Sequence, residues 1–219
     1  MRGGLVGSDV DGGVLDFYRG AARVLEDMLG RRMVKVDDRP ATKYRYGLTD
    51  EQYQQMRAVM RTHPHGWGNL PVLPGAVEAI HRLNRAGHPV TFLSSCGQSL
   101  YDLRRANLDR IGLAHCELIC VEDKDKNAKG EVLDQLKPVA FIDDHMKMLI
   151  QATQVPHRVW IDHGCSLETD PQGRPWIETH RVHQTPSLAA WVEGWVQAVA
   201  EQPAPATVHR LSLIHISEP

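Results

Sequence analysis

From residue 74 to residue 200 the chain alternates short apolar runs with amphipathic segments, a rhythm that leaves few folds open. "PGAVEAIHRLNRAG" (74–87) has helical spacing, with a proline near its start and Gly87 just past its end. "HPVTFLSS" (88–95) reads as a strand, and "SLYDLRRANLDRIG" (99–112) as a helix with Ser99 as its cap. "CELICVED" (116–123), "PVAFID" (138–143) and "HRVWID" (157–162) are further strands. Between and after them stand helices at 129–136 ("KGEVLDQL"), 144–153 ("DHMKMLIQAT") and 187–200 ("SLAAWVEGWVQAVA"). The strands are apolar along their length rather than at every second residue, as expected where both faces are covered. Strands joined by helices in this way build a parallel sheet. The expected fold is therefore α/β, a Rossmann-like parallel sheet with helices on both faces.

The N-terminal part departs from this rhythm. "LVGSDV" (5–10) is a short strand candidate, weakened by Gly7 and Ser8. Residues 17–73 then carry two helical stretches, the basic-aromatic "KYRYG" (43–47) and a loop rich in proline, glycine and histidine. The first stretch, "DFYRGAARVLEDMLG" (16–30), ends at Gly30; the second, "TDEQYQQMRAVM" (49–60), opens with Thr49 and Gln52 at capping-box spacing. This part reads as a small, mainly helical cap inserted after the first strand. The expected organisation is a core of residues 1–16 and 74–200, a cap of residues 17–73, and a linker-like, disordered tail of residues 201–219. The final "LSLIHISEP" resembles translated sequencing-adapter DNA and is set aside from fold reasoning.

The formal net charge of −2 supplies no global field to draw nucleic acid or an anionic membrane. No apolar run approaches the length of a membrane span, and no signal peptide is legible, so the expected location is cytoplasmic. The four cysteines form no CxxC pair and read as reduced, mostly buried thiols.

Ligands of open parallel sheets bind at the carboxyl ends of the strands. There the sequence places Asp9 and Asp11, Ser94 and Ser95, Glu122 and Asp123, Asp143 and Asp144, and Asp162 and His163. Carboxylates so crowded must take up protons or hold a cation, and oxygen donors alone suit Mg²⁺.

"DVDGGVLD" (9–16) resembles the first motif of the haloacid dehalogenase-like (HAD) superfamily of phosphohydrolases, DxDGxxxD. The order that follows strengthens the resemblance: serine at the end of the next long strand, lysine at a helix start, then "FIDD" (141–144). Within the superfamily the arrangement looks nearest to the 5'(3')-deoxyribonucleotidases. The resemblance implies an HAD-like core and a Mg²⁺-dependent phosphatase acting on a small phosphorylated substrate. A phosphatase for nucleic-acid ends or phosphoproteins, or a non-catalytic binding module, are the alternatives. It implies Asp9 as nucleophile and Asp11 as the acid and base that serves the leaving oxygen and then water. Ser94 and Lys129 would hold the phosphoryl oxygens, with Ser95 competing for the first place and Lys124, Lys126 and Lys137 for the second. Asp143 and Asp144 would hold the metal directly or through water, with Asp9 and the backbone carbonyl of Asp11. Dehalogenation uses the same nucleophile but no metal and no second aspartate, so Asp11 and "FIDD" favour phosphate chemistry. Asp16 fits the motif but reads more readily as the cap of the helix beginning at Phe17. Gly13 departs from the threonine or valine usual there. Phe17, Tyr44, Tyr46 and Trp67 are candidates to stack on a nucleobase, and Arg45 to pair with an anion; packing in the cap's own small core is the competing reading.

Overall fold

The structure, a computed structural model, describes residues 3–122 and 127–201. Six strands form one parallel sheet: β1 (Val6–Asp9), β2 (Val90–Ser94), β3 (Glu117–Cys120), β4 (Ala140–Asp143), β5 (His157–Ile161) and β6 (His183–Thr185), in the order β3-β2-β1-β4-β5-β6. The first strand is thus central, and the order reverses between β1 and β4. β1, β2 and β4 are buried at every position, as expected of strands covered on both faces. Gly7 does not weaken β1; a side chain there would press on Phe141 and Leu133, the nearest atoms lying 3.1 and 3.4 Å from its Cβ position. Ser8 is also accommodated, its hydroxyl donating to the Asp9 carbonyl at 2.9 Å.

Helices cover both faces. Residues of α4 (Ala76–Arg85), α5 (Tyr101–Arg110) and α9 (Leu188–Glu201) share one hydrophobic core with Val6, Phe92 and Ile142. On the other face α6 (Ala128–Leu136) and α7 (Met146–Gln151) bury Leu133 and Leu149 against Leu93 and Phe141. The fold class read from the sequence is therefore correct. Three elements were not read: α2 (Thr42–Arg45), α8 (Trp176–Thr179) and β6, each under five residues and too short to show a period. Ser99 caps nothing; a 3-10 turn at Gln98–Leu100 leads into α5, and the Ser99 hydroxyl instead accepts from Arg61 at 3.3 Å.

Between β1 and α4 lie α1 (Phe17–Leu29), α2 (Thr42–Arg45) and α3 (Asp50–Val59). Asp16 caps α1, accepting from the Arg19 N–H at 2.9 Å, and the left-handed Gly30 ends it. The Thr49–Gln52 capping box forms at α3 with both of its hydrogen bonds. The two ends of this segment are stitched together by an antiparallel bridge between Leu15 and Val72. There Asp16 N–H donates to Pro71 O at 2.7 Å and Leu73 N–H to Val14 O at 2.9 Å. No helix among the described residues is long and apolar enough to cross a membrane. Of the tail read at 201–219, Glu201 ends α9 and residues 202–219 lie outside the described residues.

Candidate active site

The site lies where the sheet order reverses, at the carboxyl ends of β1 and β4, the expected position for a ligand in such a sheet. Asp9 ends β1 and Asp143 ends β4, with Asp144 next; all three are buried. Each offers a carboxylate oxygen, and the three atoms lie within 4.8 Å of one another. Lys129, on the first turn of α6, reaches between them. Its Nζ donates to Asp9 Oδ1 at 2.6 Å and to Asp143 Oδ2 at 2.7 Å. Burial alone would lower the Lys129 pKa, but Asp143 and Asp9 raise it overall, so the ammonium stays charged. Lys137 instead closes α6 in a left-handed conformation, and Lys124 and Lys126 lie outside the described residues.

Asp9 has its pKa raised, chiefly by burial, with Lys129 opposing and Asp143 adding to the rise. Burial also raises Asp144. Asp144 Oδ1 is buried without a hydrogen-bond partner. A compact set of buried oxygens with an orphaned acceptor and a net negative charge is what a hard divalent ion requires, and the residues present fit Mg²⁺.

Asp11 stands two residues beyond Asp9, its side chain about a quarter exposed. Its carboxylate pairs with the guanidinium of Arg104, which is wholly buried on α5. Burial raises the Asp11 pKa, and Arg104 works against the rise. The Arg104 guanidinium also lies over the Trp67 ring, 4.5 Å from its centroid, and Trp67 stacks on Phe17 at 5.1 Å. A continuous column therefore runs from the inserted segment to Asp11. Nothing in the sequence announced Arg104; beside Arg105 and Arg110 it reads as one more charge on a solvated helix.

A cavity of about 250 Å³ opens onto Asp9, Asp11, Lys129, Asp143 and Asp144, with Phe17, Tyr18, Tyr53 and Trp67 from the inserted segment among its walls. Tyr18 and Tyr53 were not singled out from the sequence. Tyr46 is buried in the core, its hydroxyl donating to Tyr18 O, and Tyr44 lies outside the cavity beneath Arg39. Arg45 covers Tyr18, 4.0 Å from the ring centroid. Ser94 is buried and its hydroxyl has no hydrogen-bond partner, whereas Ser95 lines the cavity.

Other strand-end groups do not join the cluster. Glu122 accepts from Gln98 N–H at 3.1 Å, bracing the turn after β2. Asp162 accepts from Gly164 N–H at 2.7 Å and from Gln184, and so holds the turn after β5. His163 Nε2 bonds Gly12 O at 2.8 Å. Asp123 lies outside the described residues. The cysteines are free thiols as expected, but only Cys116 is buried; the other three are partly exposed.

The turn after β1 is tight. Gly12 has φ +79°, and a Cβ there would lie 2.3 Å from Asp144 Oδ2. Gly13 is equally confined, a Cβ meeting Asp9 O at 2.2 Å, which explains a glycine where larger residues are usual. Gly12→Ala is therefore expected to cost at least the ~1–2 kcal/mol of a left-handed alanine and to displace Asp144. Its melting temperature should fall and Mg²⁺ should bind more weakly, as titration calorimetry would measure; unchanged affinity would show that Asp144 stays in place.

No protein-family model matches the chain, and no curated protein matches it significantly. Solved structures do. A predicted phosphatase from Clostridium acetobutylicum superposes with a TM-score of 0.60 at 12% identity, covering 90% of this chain and 100% of that one. A HAD family hydrolase from Deinococcus radiodurans R1, solved with bound phosphate and sodium, gives 0.55 at 14% identity, covering 93% and 99%. A haloacid dehalogenase-like hydrolase from Burkholderia xenovorans LB400 gives 0.53 at 16% identity, covering 91% and 99%. This chain has the haloacid dehalogenase-like fold. In all three the likeness spans nearly the whole of both chains.

Proposed function

We propose that this HAD-fold chain is a Mg²⁺-dependent phosphomonoester hydrolase working through an aspartyl phosphate on Asp9. One observation carries the reading: the Asp9 carboxylate, at the end of the central strand, faces a cavity in company with Lys129, Asp143 and Asp144. The phosphate bound in the Deinococcus hydrolase lends support.

A carboxylate attacks an anionic phosphate ester only if their mutual repulsion is removed. Lys129 supplies one positive charge at the nucleophile. Asp9, Asp143 and Asp144, with the backbone carbonyl of Asp11, would hold Mg²⁺, which when bound neutralises the phosphoryl oxygens and stabilises charge on the transferring group. Asp9 attacks phosphorus, and the bond to the leaving oxygen breaks as Asp11 delivers its proton there. Asp11, now ionised, takes a proton from water, which attacks phosphorus and frees Asp9 and inorganic phosphate. Arg104 orients Asp11 throughout. Phe17, Tyr18, Tyr53 and Trp67 enclose the rest of the substrate and exclude water.

The cavity volume of about 250 Å³ suits a small phosphorylated metabolite better than a macromolecule. Its aromatic walls make (deoxy)nucleotides the first class to test. Purified protein should release phosphate from p-nitrophenyl phosphate with Mg²⁺ and lose that activity in EDTA. The same rate in EDTA as in Mg²⁺ would remove the metal from the scheme, and no release across a broad phosphate panel would favour a binding module.

Ser94, with its unpartnered hydroxyl, is assigned to the phosphoryl oxygens. Ser94→Ala should lose roughly tenfold in kcat/KM, the worth of one hydrogen bond to a charged group. Ser95→Ala is the comparison, and a larger loss there would move the contact to Ser95.

A further inference from the structure

A second pair of reactive side chains stands at the strand ends, outside the acidic cluster. Cys120 closes β3, in register with Ser94 on the neighbouring β2, and Cys96 follows two residues after Ser94. The two chains stay hydrogen-bonded beyond the strands: Val121 N–H donates to Ser94 O and Gly97 N–H to Val121 O, both at 2.9 Å. That pairing holds the Cys96 and Cys120 Sγ atoms 3.4 Å apart. Both are free and partly exposed. By contrast, Cys116 lies against Asn84 and Cys165 against Arg45.

We propose that Cys96 and Cys120 are a modification site, a dithiol that hydroperoxides convert to a reversible intramolecular disulfide. A disulfide bond is about 2.05 Å long, so the sulfurs must close by roughly 1.4 Å. Cys96 can supply this movement because it lies beyond the end of β2, just before Gly97, whose φ is +75°.

The two thiols are not equivalent. The hydrogen bond with Cys120 lowers the Cys96 pKa to about 6, against partial burial, and the Arg104 charge assists. The same hydrogen bond raises Cys120. Cys96 is therefore the attacking sulfur and Cys120 the resolving one. The Cys96 thiolate attacks the peroxide; the O–O bond breaks, Cys96 becomes a sulfenic acid, and an alcohol (water, from hydrogen peroxide) leaves with a proton. Cys120 then attacks the Cys96 sulfur, gives up its own proton, and a second water departs. In sum two thiols lose two electrons and one hydroperoxide gains them.

The test is peptide mapping of the full chain after hydrogen peroxide, with remaining thiols blocked. Two of the four thiols should disappear, the intact mass should fall by about 2 Da, one peptide pair should join Cys96 to Cys120, and dithiothreitol should restore the starting state. Cys120→Ser, whose hydroxyl can still donate to the Cys96 sulfur, should instead accumulate a Cys96 sulfenic acid that dimedone traps. A chain lacking Cys116 and Cys165, both replaced by serine, should still form the link. All four thiols surviving peroxide, a link between other cysteines, or Cys96 passing to sulfinic acid unlinked would each overturn the proposal. None of these readouts depends on phosphatase activity.

Discussion

Asp9→Asn should abolish phosphate release while leaving the metal-free protein at least as stable as before. The two halves of this expectation come from the same burial. An amide oxygen is too weak a nucleophile to be phosphorylated, so the loss should be on the order of 10³-fold or more, as for other removed nucleophiles. Stability should move the other way because the Asp9 carboxylate is buried beside two others, and its pKa is raised by that burial. A raised pKa means that the folded state disfavours the ionised form; at pH 7.5, well above the unfolded value, ionised Asp9 works against folding. Asparagine removes the charge and keeps the shape, and Lys129 retains Asp143. Steady-state assays and thermal melts in EDTA check both halves. An active Asp9→Asn protein would end the nucleophile assignment, whereas an inactive one with a collapsed melting temperature would leave catalysis and folding entangled and contradict the stability argument.

Lys129→Met should do the reverse, lowering stability as well as activity. The ammonium is the hydrogen-bond donor shared by Asp9 and Asp143, and its removal leaves these buried carboxylates without their cation. Breaking a buried ion pair from one side typically costs about 3–5 kcal/mol, which corresponds to roughly 10 °C in melting temperature for a domain of this size. Mg²⁺ should restore more stability to the variant than it adds to the parent, since the ion then takes the place of the lost ammonium among the three aspartates. Activity should fall on the order of 10²–10³-fold with the loss of transition-state charge stabilisation. Melts with and without Mg²⁺ give the measurement; a variant that melts with the parent in EDTA would mean that the acidic cluster is not held together by Lys129.

Much of this arrangement is legible in the sequence. β2 and β4 are apolar at nearly every position because both of their faces are covered, and such runs stand out in a sequence. Once the sheet is inferred, Asp9, Asp143 and Asp144 follow as strand-end groups, and Lys129 follows as a helix start. Legibility ended where tertiary packing decides. Arg104 sits on a helix of mostly polar residues, and only its burial under Trp67 separates it from Arg105 beside it. Glu122 and Asp162 looked like partners of the cluster because they too end strands, yet each turns its carboxylate to nearby backbone N–H groups. Whether a strand-end acid serves a turn or a site depends on one or two residues of loop geometry, which periodicity does not encode. Among the aromatics of the insertion, Phe17 and Trp67 reach the cavity and Tyr46 does not, again a matter of which side of a short helix or loop meets the sheet.

The stitch at Leu15 and Val72 has a consequence for how such a protein can change over generations. It gathers the entry and exit of a long excursion into one narrow gate, so altering the excursion's length adds little closure entropy, only about 0.6 kcal/mol per doubling. The roof above the acidic cluster can thus be remodelled, enlarged or trimmed while the floor beneath it keeps its geometry. A lineage built this way is free to trade one clientele for another without relearning its chemistry.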